Sequence, residues 1–197
     1  MNQPRPSFWT IANVFTFTRF VCGPLCAACF LMGGYWGLWV GGWLGGLAMF
    51  TDVCDGYFAR RQKQVSDIGK IFDPIADAVF FVLVWTALGL EGAFPVWLAL
   101  PFLAREFVQH VYLRPTAARH GLVLAANFWG KTKTLVQTLV FIAMCWFEFF
   151  CEYWPSIAVW VKPANLVMIS VTALVSVLSI LPYFKTLRAV SRQPAAA

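Results

Sequence analysis

The fifteen residues WGLWVGGWLGGLAMF, 36–50, carry no charge, and the eleven that follow, TDVCDGYFARR, 51–61, contain two aspartates and two arginines. An apolar helix needs roughly 20 residues to cross the hydrocarbon of a bilayer, and the segment 36–58 reaches that length. Its repeated glycines are typical of membrane helices that pack closely against their neighbours. The junction therefore predicts a membrane helix that ends at the membrane surface in acidic side chains.

The whole chain has the composition of a membrane protein. Of its 197 residues, 60% are hydrophobic and 12% are charged, with a mean hydropathy of +0.68, whereas soluble domains carry about 25% charged residues. We predict an all-α, polytopic membrane protein with a single domain, 1–197, and six transmembrane helices. The predicted spans are 11–31, 36–58, 73–94, 95–113, 134–151 and 163–183, with turns at 33–34, 91–95 and 152–156.

Basic residues predict the orientation of these helices. In a six-helix arrangement nearly all of them fall on one side, and only Lys162 falls among the opposite loops. The positive-inside rule then places both termini and the aspartate-rich stretch in the cytoplasm. The net charge of +6 fits anionic lipid headgroups or a phosphorylated substrate better than nucleic acid. The first ten residues lack the n-region and cleavage site of a signal peptide, so we expect none to be removed.

Five of the nine acidic residues lie in the 27 positions 51–77. Asp52 and Asp55 are three residues apart, so they share one face of a helix. Asp73 and Asp77, four apart, share a face of the next helix in the same way. Small residues beside these aspartates leave room for a bulky group to approach the backbone. The two stripes are Asp52, Asp55, Gly56 and Ala59, and Gly69, Asp73 and Asp77.

Unpaired carboxylates at these positions are costly. An ionised aspartate in a membrane helix costs roughly 2.5–3.5 kcal/mol on insertion scales, and a divalent cation would remove that cost for several at once. Oxygen ligands favour Mg²⁺, which commonly bridges to substrate phosphates, and Mn²⁺ is the chemical alternative. The stretch therefore predicts a site for one or two divalent cations suited to phosphoryl displacement. The alternative, solvated acids paired with nearby basic residues, is the interpretation we favour for Asp67.

The stretch reads D-x-x-D-G-x-x-A-R, eight residues, and then G-x-x-x-D-x-x-x-D. This pattern resembles the signature of the CDP-alcohol phosphotransferases, which are integral membrane enzymes of phospholipid synthesis. The segments IANVFTFTRFVCGP, AREFVQHVYLR and GKTKTLVQ, and the spacing of Ser179, Tyr183 and Arg188, are similar to bacterial members that act on glycerol 3-phosphate. One departure is Ala78, where those members commonly carry lysine.

The resemblance implies a Mg²⁺-dependent, usually dimeric transferase in the bacterial inner membrane. Its donor would be CDP-diacylglycerol and its acceptor sn-glycerol 3-phosphate, with phosphatidylglycerophosphate and CMP as products. By the same resemblance, Asp52, Asp55 and Asp73 would hold a first metal ion, and Asp52, Asp73 and Asp77 a second. Asp77 would also be the general base. Contacts to CDP-diacylglycerol are implied for Asn13, Thr16, Gly56, Ala59, Arg60 and Ser66.

Basic residues around the fourth and fifth predicted spans are candidates for binding the acceptor phosphate. They are Arg105, Arg114, Lys131 and Lys133. Arginine gives bidentate contacts to phosphate and lysine a point charge, but ordinary flanking charge explains Arg114 and Lys133 equally well. Arg105 lies inside an apolar run beside Glu106, and a charge inside the membrane is a functional candidate by default. The same holds for Arg19, for which a packing ion pair with an aspartate is the alternative.

Other functions stay open on the sequence alone. Within the same chemistry, the acceptor could be phosphatidylglycerol, giving cardiolipin, or inositol phosphate, or serine. A divalent-cation transporter would need acidic residues through the depth of the membrane, and the half opposite the aspartates is nearly uncharged. An inactive relative of the enzymes would not need the complete signature.

Overall fold

The computed structural model describes residues 11–62, 67–119 and 128–191, and the side chains of 17–51, 75–119 and 129–188. All regular elements in these ranges are helical, which confirms the predicted all-α fold class. The long helices are α1 (Ile11–Met32), α2 (Gly34–Gln62), α3 (Asp67–Glu91), α6 (Phe128–Tyr153) and α7 (Ala158–Leu178). The shorter ones are α4 (Leu100–Phe107), α5 (Arg114–Arg119) and α8 (Leu181–Ser191). Two 3-10 turns, Val96–Ala99 and Pro155–Ile157, precede α4 and α7, and a π-helical segment, Val108–Leu113, joins α4 to α5.

Glycines make two of the turns between helices. Gly33 and Gly34 have φ angles of +66° and +68°, and Gly92 has +97°, a left-handed conformation that glycine adopts without the steric cost of a Cβ. They separate α1 from α2 and follow the end of α3, where the sequence predicts turns. The third predicted turn is confirmed at Trp154, between α6 and the 3-10 turn that leads into α7.

Two predicted spans are less regular than the sequence indicates. The span 95–113 begins as a 3-10 turn, becomes α4 and ends as the π-helical segment, after which α5 continues the helical path to residue 119. The span 163–183 is interrupted at residues 179–180, where α7 ends and α8 begins. π-Helical turns are frequent at functional sites, and both irregular places carry polar side chains that face the interior.

Glycines on one face of α2 set the distance to two neighbouring helices. A Cβ at Gly41 would overlap the Phe30 ring of α1, and a Cβ at Gly45 would overlap the Phe141 ring of α6. The four-residue spacing keeps these glycines in one stripe, which lets both neighbours approach the α2 backbone. Gly46, the next residue, faces open space: a Cβ there would meet nothing within 4 Å.

An aromatic cluster in the interior joins α1, α3, α4 and α6. Its members are the buried side chains of Phe30, Phe80, Trp85, Phe102 and Phe141. The Trp85 and Phe102 rings stack with centroids 5.6 Å apart. The Phe141 ring lies edge-on to three others, each with its centroid 6.2 Å away. Such pairs stabilise a fold by about 0.5–1.5 kcal/mol each beyond the burial of their area.

The surface is apolar and the interior holds charged groups, the reverse of a soluble domain. Trp36 and Trp160, for example, are 71% and 78% exposed, whereas several arginine and lysine side chains are buried. Among the described residues, two helical stretches are long and apolar enough to cross a membrane, Trp129–Tyr153 and Pro155–Arg188. An apolar exterior of this extent indicates a lipid environment.

Candidate active site

Charged side chains of α4 and α6 meet in the interior with polar groups of the π-helical segment and of the end of α7. Glu106 of α4 accepts hydrogen bonds at Oε1 from Arg105 Nη1, at 2.8 Å, and from Lys133 Nζ of α6, at 2.5 Å. His110 Nε2 lies 3.3 Å from the other carboxylate oxygen, Oε2. Arg105 Nη2 donates to Ser179 Oγ, 3.4 Å away at the end of α7. We call these five residues the Glu106 cluster.

The local sequence explains how the side chains of the cluster are positioned. His110 follows Glu106 by four residues and therefore lies on the same face of the helix. Lys133 belongs to the second turn of α6, so its long side chain enters the interior from the start of that helix. Ser179 is the C-cap of α7, and its hydroxyl donates to Ser176 O at 2.6 Å. That bond uses the hydroxyl proton and leaves the oxygen lone pairs to accept from the arginine.

The charged side chains of the cluster are almost completely buried. The side chains of Arg105, Glu106 and Lys133 are 5%, 9% and 8% exposed. Removing one partner of a buried ion pair leaves an uncompensated charge, at a cost of about 3–5 kcal/mol. One carboxylate that holds two cations therefore fixes α4 relative to α6 and retains an excess of positive charge in the interior.

Asp77 of α3 is the one predicted metal ligand whose side chain the structure describes. It forms an ion pair with Arg19 of α1, which is 4% exposed, while the Asp77 side chain is 36% exposed. This is the packing ion pair with an aspartate that the sequence leaves open for Arg19. Lys133 also lies within electrostatic range of Asp77. The carboxylate predicted as general base thus interacts electrostatically with Lys133 of the Glu106 cluster.

The other predicted metal and nucleotide contacts lie outside the described side chains. The backbone of α2 and α3 is helical through Asp52, Asp55 and Asp73, so each aspartate pair shares a helix face as predicted, but these three side chains are not described. The same holds for Asn13, Thr16, Gly56, Ala59 and Arg60, and Ser66 lies wholly outside the described residues. Within the described part of the chain, no three His, Cys, Asp or Glu residues are grouped to hold a metal ion.

Two of the four basic residues predicted to bind the acceptor phosphate meet in the cluster. Arg105 and Lys133, from α4 and α6, share the carboxylate of Glu106. Lys131 is exposed and lies about 200° around α6 from Lys133. The structure therefore does not bring Lys131 to the cluster, and its position fits flanking charge at the membrane surface.

Arg114, the fourth of these residues, lies at the edge of the cluster. It begins α5, directly after the π-helical segment, and is half-buried. Burial lowers the pKa of its guanidinium from the ordinary value; Tyr183 and Glu106 oppose that shift, and Arg105 adds to it. Arg114 therefore lies within electrostatic range of the interior charges.

Among the described side chains, positive charge exceeds negative charge around the cluster. The basic ones there are Arg19, Arg105, Arg114 and Lys133, and the acidic ones are Asp77 and Glu106. In an interior of low dielectric, such an excess of two positive charges interacts strongly with a doubly charged anion. Hydrogen bonds from arginine and lysine to a phosphate are also stronger than bonds between neutral groups. The arrangement therefore suits a phosphate monoester.

From the sequence, Glu106 is predicted only as the neighbour of Arg105, and its place at the centre of the cluster is not predicted. A signal was present, because two opposite charges stand side by side in an apolar run and a histidine follows four residues later. The partners from other helices had no such signal. Lys133 is 27 residues from Glu106, and Ser179 is 74 residues from Arg105.

Known proteins are similar to this chain over most of its length. The chain matches a family model described as CDP-alcohol phosphatidyltransferase over residues 9–178. A curated relative from Salmonella choleraesuis, CDP-diacylglycerol–glycerol-3-phosphate 3-phosphatidyltransferase, is 30% identical over 185 residues, which cover 91% of this chain and 96% of the relative. A relative of the same name from Mycoplasma genitalium is 39% identical over 108 residues, which cover 55% of this chain and 45% of the relative.

A relative with a different acceptor is also similar to this chain. The cardiolipin synthase (CMP-forming) of Streptomyces coelicolor is 33% identical over 129 residues, which cover 64% of this chain and 60% of the relative. The chain spans about half the length of the Mycoplasma genitalium relative and others like it, and nearly the full length of the Salmonella choleraesuis relative.

Proposed function

This chain belongs to the CDP-alcohol phosphatidyltransferase family, and we propose that it transfers the phosphatidyl group of CDP-diacylglycerol to a hydroxyl of sn-glycerol 3-phosphate. The products are phosphatidylglycerophosphate and CMP. The complete aspartate signature supports this chemistry. The observation that carries the choice of acceptor is the Glu106 cluster, because it is buried, has an excess of positive charge and lies within electrostatic range of Asp77.

The cluster has the chemistry of a phosphate site. Arg105 offers a planar guanidinium fork and Lys133 a compact point charge, which are complementary ways of binding a phosphate. Glu106 already orients both, so little conformational freedom is lost when the ligand binds. The phosphate of glycerol 3-phosphate would bind to this pair. Arg114 would attract it electrostatically from the cytoplasmic edge.

Asp77 is the proposed general base. During transfer, the acceptor oxygen bonds to the phosphorus that carries diacylglycerol, and the bond from that phosphorus to CMP breaks. The acceptor hydroxyl loses its proton as it attacks, and a carboxylate within reach accepts that proton. The ion pair with Arg19 holds the Asp77 carboxylate in one orientation. Arg60 would stabilise the negative charge on the departing CMP.

The proposal includes two Mg²⁺ ions, with Mn²⁺ as the alternative. Asp52, Asp55 and Asp73 would hold the first ion, and Asp52, Asp73 and Asp77 the second. The donor set fits, because it consists of carboxylate oxygens and hard divalent cations prefer oxygen; Asp77, 36% exposed, is accessible to such a ligand. When bound, the ions supply charge neutralisation at the phosphates of the donor. Donor contacts are proposed for Asn13, Thr16, Gly56, Ala59, Arg60 and Ser66.

The same proposal describes a homodimeric, multi-pass protein of the bacterial inner membrane, with one domain, 1–197. Six helices would span the bilayer, with both termini in the cytoplasm. The apolar exterior and the two long apolar stretches of the described residues support membrane insertion. The one-sided distribution of basic residues supports the orientation. The acyl chains of the donor would stay in the bilayer while its phosphates meet the water-soluble acceptor at the interface.

Cardiolipin synthesis, with phosphatidylglycerol as acceptor, is the second candidate. The similarity to the cardiolipin synthase of Streptomyces coelicolor favours it, and so does Ala78 in place of the lysine common in members that use glycerol 3-phosphate. The Glu106 cluster favours the smaller acceptor, because its two cations are buried between helices and suit the charge of a phosphate monoester.

An acceptor panel decides between the candidates. Purified protein is incubated with CDP-diacylglycerol and Mg²⁺, and CMP release is measured with glycerol 3-phosphate, phosphatidylglycerol, inositol phosphate or serine. CMP release with glycerol 3-phosphate supports the proposal. Release with phosphatidylglycerol alone identifies the second candidate, and absence of release with glycerol 3-phosphate rejects the proposed acceptor.

A further inference from the structure

Gln137 is a buried amide whose polar atoms have no hydrogen-bond partner among the described residues. Its side chain is 1% exposed, and within the described structure neither Nε2 nor Oε1 has a hydrogen-bond partner. Nearly all buried polar groups in folded proteins are paired, because an unpaired group has lost its bonds to water without replacement. A glutamine with both polar atoms unpaired therefore needs an explanation, and a ligand that binds there would supply one. The segment GKTKTLVQ ends on this residue.

Gln137 lies one turn deeper in the interior than Lys133. Lys133, Gln137 and Phe141 follow one another at four-residue spacing and share one face of α6. At one end of this row, Lys133 interacts with Asp77 of α3. At the other end, the centroid of the Phe141 ring lies 6.2 Å from that of the Phe80 ring, which also belongs to α3. Gln137 therefore lies along α6 between Lys133, which is within electrostatic range of Asp77, and Phe141, which packs against Phe80.

A second unpaired polar group lies at a similar depth. Ser176 Oγ of α7 is buried and has no hydrogen-bond partner among the described residues. Ser176 precedes Ser179 by three residues, so it is displaced from the Glu106 cluster toward the connection between α6 and α7. Gln137 is displaced from Lys133 in the same direction. Two polar groups that can still form hydrogen bonds, the Gln137 amide and Ser176 Oγ, are thus displaced from the cations in one direction. A phosphate ester bound to the cations would extend its carbon chain in that direction.

We propose that Gln137 is a specificity-determining residue that hydrogen-bonds the non-reacting hydroxyl of a small polyol phosphate acceptor. The inference rests on the proposed function. The acceptor phosphate lies on Arg105 and Lys133, and its reacting hydroxyl lies at Asp77. The remaining hydroxyl can both donate and accept a hydrogen bond, as can a side-chain amide. In glycerol 3-phosphate this is the hydroxyl on the central carbon.

The test compares two acceptors and two proteins. 3-Hydroxypropyl phosphate keeps the phosphate and the reacting hydroxyl of glycerol 3-phosphate but lacks the central hydroxyl. A site built to bind a hydroxyl rejects such an analogue, and the wild-type protein should prefer glycerol 3-phosphate by about tenfold or more in kcat/KM. Gln137→Met has a similar volume and no amide. It should reduce the preference to about twofold or less, with an unchanged KM for CDP-diacylglycerol.

Thermal unfolding in detergent separates this role from a structural one. Removing an unpaired amide leaves the unfolding temperature unchanged or raises it, whereas removing a structural hydrogen bond lowers it. Thr138→Val is the matched control, because Thr138 is the next residue on α6 and is only partly buried. It should change neither the acceptor preference nor the unfolding temperature.

Two results would overturn the inference. One is a Gln137→Met protein that keeps the wild-type preference between the two acceptors. The other is an equal loss of activity on both acceptors together with a lower unfolding temperature, which identifies a structural amide. A wild-type protein that releases no CMP with glycerol 3-phosphate would instead overturn the proposed function itself, and this inference with it.

Discussion

Glu106 and Lys133, 27 residues apart in the sequence, form an ion pair in the interior with Lys133 Nζ 2.5 Å from Glu106 Oε1. The same carboxylate oxygen accepts a hydrogen bond from Arg105, so one acidic side chain holds two cations of the proposed acceptor site. The pair also joins α4 to α6. Stability and acceptor binding therefore depend on the same residues, and variants at these positions should be measured for both.

Lys133→Met should raise the KM for glycerol 3-phosphate about tenfold or more, because a buried hydrogen bond between a charged donor and the phosphate is lost. Initial rates at varied acceptor concentration measure the change. Lys131→Ala is the matched control: Lys131 is exposed on another face of α6, and its removal should change KM by about twofold or less. Equal effects of the two substitutions would show that the Glu106 cluster does not bind the acceptor.

Glu106→Gln should lower the free energy of unfolding by about 3–5 kcal/mol, because it leaves two buried cations without their counter-charge. Unfolding in detergent, followed by circular dichroism, measures the loss. Adding Lys133→Met to this variant should recover part of the stability, since one of the unpaired charges is then gone. A Glu106→Gln protein as stable as wild type would contradict the buried ion pairs.

Gly45 and Gly46 should respond oppositely to alanine. A Cβ at Gly45 would overlap the Phe141 ring, whereas one at Gly46 meets no atom within 4 Å. Gly45→Ala should therefore destabilise the protein by about 1–3 kcal/mol through overpacking. Gly46→Ala should be neutral or stabilising by up to about 1 kcal/mol, the difference in helix propensity. Equal unfolding temperatures for the two variants would contradict the close packing of α2 against α6.

The helical architecture could be predicted because its signals are local. Apolar length indicates the long helices, and the glycine pair at 33–34 indicates the first turn. Arg105 could be singled out as a charge inside an apolar run, but its partner Ser179 could not, because the two meet only through the packing of α4 against α7. The break at 179–180 and the π-helical segment Val108–Leu113 were not predicted, since apolar length indicates that a span exists and not where its helical geometry changes.

The chemistry of the candidate site is predictable from the sequence, but the contacts between its residues are not. An aspartate pattern and intramembrane charges are visible in the letters of the sequence. The pairing of Arg19 with Asp77 is one of two alternatives on the sequence alone, because sequence spacing does not show which helix faces meet. Gln137 carried no signal at all, since the lack of a hydrogen-bond partner is a property of the folded interior.

Asp77→Asn should lower kcat by about 10²- to 10⁴-fold, the usual contribution of a general base, with little change in the affinity for CDP-diacylglycerol. CMP release and donor binding measure the two effects separately.

Chelation of divalent cations should abolish wild-type activity, and added Mg²⁺ should restore it, because the proposed carboxylate ligands favour a hard cation. Full activity of the wild-type protein in chelator would reject the metal proposal, and full activity of the Asp77→Asn protein would remove Asp77 from the role of base.

Product analysis of the complete reaction tests the central claim most directly. Purified protein is supplied with CDP-diacylglycerol, sn-glycerol 3-phosphate and Mg²⁺, and both the nucleotide and the lipid product are quantified. The proposed function predicts equal amounts of CMP and phosphatidylglycerophosphate, with no CMP when the acceptor is omitted. Absence of CMP, or CMP formed at the same rate without glycerol 3-phosphate, would contradict it.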